Sequence, residues 1–174
     1  MPTFQPRIDL LTRVFDTIAQ TRMHGMPVLN PALRVESVGF ALAPVAEAAT
    51  PPVLEGILIT PWFMNLLRLP VVGVADVSVG TRQRYRFGAE RFDFIAAYEP
   101  ALGQFEVCSL FSPMFEFADH AAAVATAHEV LRTLRSAPPP AVTPVARADA
   151  AQPGRRSFLF GRSSATAASG AAPR

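Results

Sequence analysis

Apolar residues recur at helical intervals between Arg7 and Met23. Leu10, Val14 and Ile18 share one face with Leu11 and Phe15 beside them, while Asp9, Arg13, Asp16 and Gln20 lie elsewhere. That spacing predicts an amphipathic helix, which Gly25 and Pro27 end. The period then changes to two. Across Arg34–Leu42, Val35, Ser37 and Gly39 alternate with Glu36, Val38 and Phe40, which predicts a strand. An Ala/Pro-rich loop runs through Pro52, and the mostly apolar run Val53–Ile59 has the length of a strand buried on both faces.

Thr60-Pro61 interrupts this run. Thr is a favoured N-cap, and Pro is favoured at the first helical position because its missing N–H has no partner there anyway. One or two helical turns over Trp62–Leu69 follow, stopped by Pro70, with Trp62, Leu66 and Leu69 on one face and only Asn65 and Arg68 as a polar stripe. Further on, Arg82, Arg84 and Arg86 alternate with Gln83, Tyr85 and Phe87 as in a strand. Arg91–Tyr98 and Gln104–Phe111 flank the turn residues of EPALG, an antiparallel hairpin. Ala118 or Asp119 opens a last helix to about Ser136, with Val124, His128 and Leu131 on one face. Together these predict an α+β two-layer sandwich: a mostly antiparallel sheet of three to five strands, N- and C-terminal helices, and a short inserted helix.

Half of the 174 residues are apolar, enough for one core. From Ala137 the composition collapses into Ala, Pro, Ser and Arg. The expected organisation is a folded domain over residues 1–136 and a disordered basic tail over 137–174, broken only by GRRSFLFGR at Gly154–Arg162. The net charge of +2 is uneven: eleven arginines against thirteen carboxylates leave the body at −2, and the tail carries +4. The run Arg82, Arg84 and Arg86 is too small for a nucleic-acid footprint. Charges spread through the N-terminus argue against a secretory signal. Gly56–Ala75 has the length of a membrane span, but Pro61, Asn65, Arg68 and Pro70 fall inside it.

Cys108 is the single cysteine, so there is no internal disulfide and no Cys-x-x-Cys site, and a reducing compartment fits. As a nucleophile it would need a base and an orienting group, and the sequence does not place His24, His120 or His128 beside it. A small buried residue is the plainer reading. His120 and His128 are eight apart, without metal-ligand spacing, and Glu116 and Asp119 flank a helix start, where acids suit the dipole. The glycines form no phosphate loop. No catalytic, metal or cofactor site is expected.

Two stretches share a layout. ITPWFMNL and LFSPMFEF each run from an apolar strand end through Ser/Thr-Pro to methionine and aromatic residues. Such groups can bind apolar peptides of varied sequence, or they can fill a core. For Ile59–Pro70 both are expected, one face anchored and one offered, with at least one of Trp62, Phe63 and Met64 exposed.

VESVGF at Val35–Phe40, GILITPWFMNLLRLP at Gly56–Pro70 and CSLFSPMFEF at Cys108–Phe117 resemble the signature blocks of the HybE family of nickel–iron hydrogenase assembly chaperones. The terminal RRSFLFG is similar to that family's C-terminal ending, and the resemblance spans roughly Leu10–Leu134 plus that ending. It implies a secretion-chaperone-like α+β fold and a cytoplasmic accessory protein without catalytic residues. It also implies that precursor subunits, including a small subunit with a twin-arginine signal, are held until cofactor insertion and assembly are complete. Some relatives carry a fused rubredoxin; without Cys-x-x-Cys pairs this chain is expected to hold no iron. The blocks fall at Trp62, Phe63, Met64, Asn65, Cys108, Ser112, Pro113, Met114 and Phe117. All of these except Cys108 are candidate partner contacts, together with Arg155, Arg156, Phe158 and Leu159 of the tail. Those four read like a twin-arginine signal with no long apolar segment after it, as expected either of a basic, slightly greasy tail that sticks weakly to many surfaces or of a mimic that occupies the chaperone's own groove when it is empty. A thiol-dependent maturation enzyme using Cys108 and a structural accessory subunit are the alternatives.

Overall fold

The computed structural model describes residues 3–44, 52–75, 79–88 and 90–136. The tail, with Arg155, Arg156, Phe158 and Leu159, lies outside the described residues. Chain order is α1 (Gln5–Gln20), β1 (Glu36–Leu42), β2 (Val53–Ile59), β3 (Met64–Pro70), β4 (Arg82–Phe87), β5 (Glu90–Glu99), β6 (Gly103–Phe111) and α2 (His120–Ser136). The six strands form one antiparallel sheet in the order β1-β2-β3-β6-β5-β4.

Every residue of β2 is buried, and the alternation of its side chains explains how. Ile57 and Ile59 enter a core with Ala123, Ala127 and Leu131 of α2. Leu54 and Leu58 enter another with Leu11 and Phe15 of α1. β3 repeats the division, with Met64 and Leu66 on the α2 side and Leu67 and Leu69 on the α1 side. The α+β class, the antiparallel sheet and the terminal helices are as the sequence predicts. The helices take opposite faces, so the sheet lies between two helices rather than under one layer of them.

The short helix over Trp62–Leu69 is not there. Thr60 makes the hydrogen bonds of an N-cap, its hydroxyl accepting the N–H groups of Trp62 (3.3 Å) and Phe63 (2.9 Å). Its own N–H donates to Phe63 O at 2.8 Å, which closes a tight hairpin turn instead. The chain returns as β3, paired with β2 from Ile59↔Met64 to Val53↔Pro70. Local capping is the same for both outcomes. The choice is made by pairing with β2 and β6 and by a helix on each face, which bury β3 from Met64 to Leu69 and remove the alternation that marks a strand.

On α2 the buried face is His120, Ala123, Ala127, Leu131 and Leu134. Val124 is half-buried and His128 exposed, so the face expected from Val124, His128 and Leu131 is rotated toward the alanines. Small residues suit a helix held this close to the sheet. A Cβ on Gly88, in the β4–β5 turn, would lie 2.0 Å from Leu134 O. The last turn of α2 meets both sheet edges: Arg135 donates to Gly39 O of β1 (2.8 Å) and Glu55 O of β2 (3.1 Å), and its guanidinium sits 5.9 Å from the Phe87 ring of β4. The sheet therefore curls around α2 without closing. α1 lies on the convex side, tied to β1 by Thr12 and Ser37 (2.8 Å), to Leu102 and Pro70 carbonyls by Arg7, and to Glu99 by Arg22.

Candidate functional site

The two Ser/Thr-Pro stretches become neighbouring loops because β3 pairs with β6. The Thr60–Phe63 turn and the Ser112–Asp119 connection leave the same end of the sheet, next to the pair Met64↔Phe111. Ser112 Oγ donates to Trp62 O at 3.4 Å. The stronger link is Asn30. Its backbone N–H donates to Pro61 O at 2.8 Å, and its side-chain amide donates to Met114 O (3.0 Å) and Phe117 O (2.8 Å). Its Oδ1 accepts the N–H of Ala32 at 3.0 Å. One buried, fully used side chain thus holds both loops in fixed register. Sequence reasoning passed over Asn30, since an Asn-Pro pair reads as an ordinary turn.

The clamp sorts the candidate residues. Met64 and Met114 are fully buried on the α2 side with Phe117, whose ring stands edge-on to Phe111 at 5.2 Å. Asn65 is buried on the opposite, α1 side of β3. Trp62 and Phe63 are half-buried and edge-on to each other at 5.4 Å, and Phe63 also meets Phe15 of α1 at 5.9 Å. Ser112 and Pro113, joined by a cis peptide bond, are exposed. Phe115, which the sequence did not single out, is 57% exposed. Phe117 N–H donates to Met114 O at 3.2 Å, so those two turn inward and the residue between them faces out. The sheet end therefore offers a small aromatic and proline surface, formed by exposed Pro113 and Phe115 and the uncovered part of half-buried Trp62, on a backbone that cannot easily shift.

The remaining chemistry is held elsewhere. Cys108 is half-buried opposite Leu66 of β3. Burial first, and the Asp93 carboxylate second, push its thiol above the ordinary value, the reverse of an activated nucleophile. His120 accepts the N–H of Arg34 through Nδ1 (3.4 Å), so Nε2 carries the proton shared with Glu36 Oε2 at 2.8 Å. This pair lines a shallow cleft of about 480 Å³ with Val124 and His128. Among the described residues no group of three His, Cys, Asp or Glu is placed to hold a metal, and no helix is long and apolar enough to cross a membrane.

The sequence profile of the NiFe-hydrogenase assembly chaperone HybE matches residues 6–161. The chain belongs to the HybE family. It is similar to protein HoxT of Cupriavidus necator, with 49% identity over 164 residues that cover 90% of this chain and 89% of that one. It is also similar to the hydrogenase expression/formation protein HupJ of Bradyrhizobium diazoefficiens, with 41% identity over 126 residues, 72% of this chain and 70% of that one. The solution structure of HybE from Escherichia coli matches with a TM-score of 0.55 at 22% identity and 91% coverage of each chain, which shows a shared fold. In this HybE-family chain the PWFMN and SPMF blocks are each divided in depth: Met64, Met114 and Phe117 are buried, Trp62 and Phe63 are half-buried against the α1-side core, and Pro113 and the neighbouring Phe115 face outward, so none of Trp62, Phe63 and Met64 is exposed as the sequence led one to expect.

Proposed function

We propose that this HybE-family protein is an assembly chaperone that holds precursor subunits of a nickel–iron hydrogenase at the clamped end of its sheet. Trp62, Pro113 and Phe115 are the contacts, and Phe63 and Asn30 keep them in place. The client is a precursor that includes the small subunit with its twin-arginine signal, retained in the cytoplasm until the cofactors are installed. Family membership supports the hydrogenase client. The observation that carries the site is the exposed aromatic edge built on two loops that share one buried asparagine. Rigid, partly buried aromatic residues are the usual anchors of protein interfaces, because they contribute large area with little entropy left to lose.

Binding of purified large- and small-subunit precursors to the Trp62→Ala/Phe115→Ala double variant tests this. The expected loss is about 2 kcal/mol or more, roughly thirtyfold in Kd, with urea unfolding near that of the parent. Unchanged affinity in the folded double variant sinks the site.

A further inference from the structure

The α2 side of the sheet changes character where α2 ends. Leu134 closes on Gly88 there, and Arg135 donates to Glu55 O at 3.1 Å. At that level a row of neighbours crosses the sheet: Thr81, just ahead of β4, then Ala96, Glu106, Arg68, Glu55 and Ala41. Its middle is charged. Arg68 divides one guanidinium between Glu55 and, at 3.2 Å, Glu106, with the centre of the Tyr85 ring 3.9 Å away. Arg135 adds a second cation at the Glu55 end of the row. Arg82 stands opposite Ile95, on the other face of the sheet. Among the described residues the Glu106 end has its share of Arg68 and no other cation, so the negative charge of the row lies there.

That end is also hollow. Ala96 is the small residue of the row, and the longer side chains of the flanking strands rise on either side of it. Thr81, Gln83 and Tyr85 on one side and Gln104 and Glu106 on the other enclose about 160 Å³. Gln83 Oε1 accepts the Tyr85 hydroxyl, and Glu106 gives Oε2 to Arg68 Nε. Glu106 Oε1 and the side-chain amide of Gln104 make no hydrogen bond among the described residues. The volume is below the roughly 300–1,000 Å³ of small-molecule pockets, so the hollow suits one side chain. Its lining carries a single charge, a carboxylate, beside two amides and two hydroxyls. A guanidinium matches that set: it is planar, always cationic, and presents a fork of N–H donors to oxygens set side by side. An ammonium is a more strongly hydrated point charge and loses more water for fewer bonds.

We propose that this cavity takes one guanidinium of the bound precursor, an arginine of its twin-arginine signal, an assignment that rests on the precursor-binding reading above. Glu106 Oε1 and the amide oxygens of Gln83 and Gln104 accept its N–H groups. Arg68 holds Glu106 in place from behind. The Thr60–Phe63 and Ser112–Asp119 loops lie toward the other end of β3 and β6, so the two contacts are separate and can be broken separately.

The test is affinity for the purified small-subunit precursor with its signal arginines intact, changed to alanine or changed to lysine. Each is measured against the parent protein, Glu106→Gln, Gln104→Lys and Glu129→Gln, with circular dichroism to check folding. Glu106→Gln removes the charge and keeps an acceptor for Arg68. Gln104→Lys puts a cation at the cavity. Glu129→Gln removes the same charge from an exposed position on α2. The intact precursor is expected to bind both cavity variants about tenfold or more weakly, and Glu129→Gln as it binds the parent. With the alanine precursor the penalty of Glu106→Gln is expected to vanish, because the two changes remove one contact. Parent-like binding of the intact precursor by folded Gln104→Lys overturns the cavity, as does a Glu106→Gln penalty that persists with the alanine precursor. A lysine precursor that binds the parent as tightly as the intact one overturns the guanidinium. Where Trp62→Ala/Phe115→Ala is still impaired in these cases, the loops stand. A parent that binds neither the small- nor the large-subunit precursor overturns the underlying reading, and the cavity with it.

Discussion

β2 and β3 lie between two helices, whereas β4 and β5 have a helix-side face and a face in water. The same ion-pair chemistry occurs in both settings. In the buried half Arg68, 1% exposed, pairs with Glu55 and, at 3.2 Å, with Glu106, and its guanidinium lies 3.9 Å from the centre of the Tyr85 ring. In the open half Arg84 pairs with Asp93 at 2.8 Å in solvent. The open pair can be replaced by water. The buried one cannot, because Glu55 would lose its guanidinium in a nearly closed interior. Charge in β2–β3 is therefore a condition of folding, and the exposed Arg84–Asp93 pair of β4–β5 is not.

The largest expected effect follows directly. Arg68→Ala should cost about 3–5 kcal/mol, since breaking a buried ion pair by removing one member is strongly destabilising. Arg84→Ala should leave the urea midpoint where it was. Equal shifts for the two would mean that burial is not what separates the halves. A neutral version of the comparison comes next. Leu66, fully buried against α2, should cost about 3 kcal/mol as Leu66→Ala, through lost transfer energy and the cavity left behind. Ile95→Ala should stay within about 0.5 kcal/mol, as surface changes do. A large loss at Ile95 would show that the convex face is covered in the free protein.

The two halves also differ in how well the sequence announces them. β4, β5 and β6 were legible because one face is polar: Arg82, Arg84 and Arg86 alternate with Gln83, Tyr85 and Phe87, and EPALG marks the β5–β6 turn. The terminal helices were legible for the same reason at a period of 3.6. β3 was not, because a strand covered on both sides has no period, and Thr60-Pro61 offers identical capping to a helix and to a hairpin. The site was half legible. The Ser/Thr-Pro blocks pointed to two loops that β3–β6 pairing brings together, but their division into buried and exposed residues depends on which way each residue turns after the strand ends. Asn30 bonds to residues 84 and 87 positions away, and nothing local to it records that. Asn65 read as half of a polar stripe on a helix and as a candidate contact; that it is buried between Leu58 and Ser109, its oxygen without a partner among the described residues, becomes visible only in the sheet.

The smallest expected effect falls on the seam. Cys108 sits on β6, opposite Leu66 of the buried half and one strand from the open edge pair. Burial and Asp93 raise its thiol pKa in the folded state. A raised pKa means that folding favours the protonated thiol. The contribution is fully present below the ordinary thiol value of about 8.5 and is lost as pH rises through the folded value. At neutral pH the group is therefore a thiol in contact with leucine, not a thiolate. Alkylation by iodoacetamide at pH 7.5 should be slower than for an unfolded cysteine, and urea should restore the ordinary rate. Cys108→Ser should change stability by less than about 1 kcal/mol, a near-isosteric change at a half-buried position, and should leave precursor binding and hydrogenase maturation intact. Fast alkylation below pH 7, together with lost maturation in a serine variant that folds and binds, would put a working thiolate on this seam and give the thiol-dependent enzyme back its case.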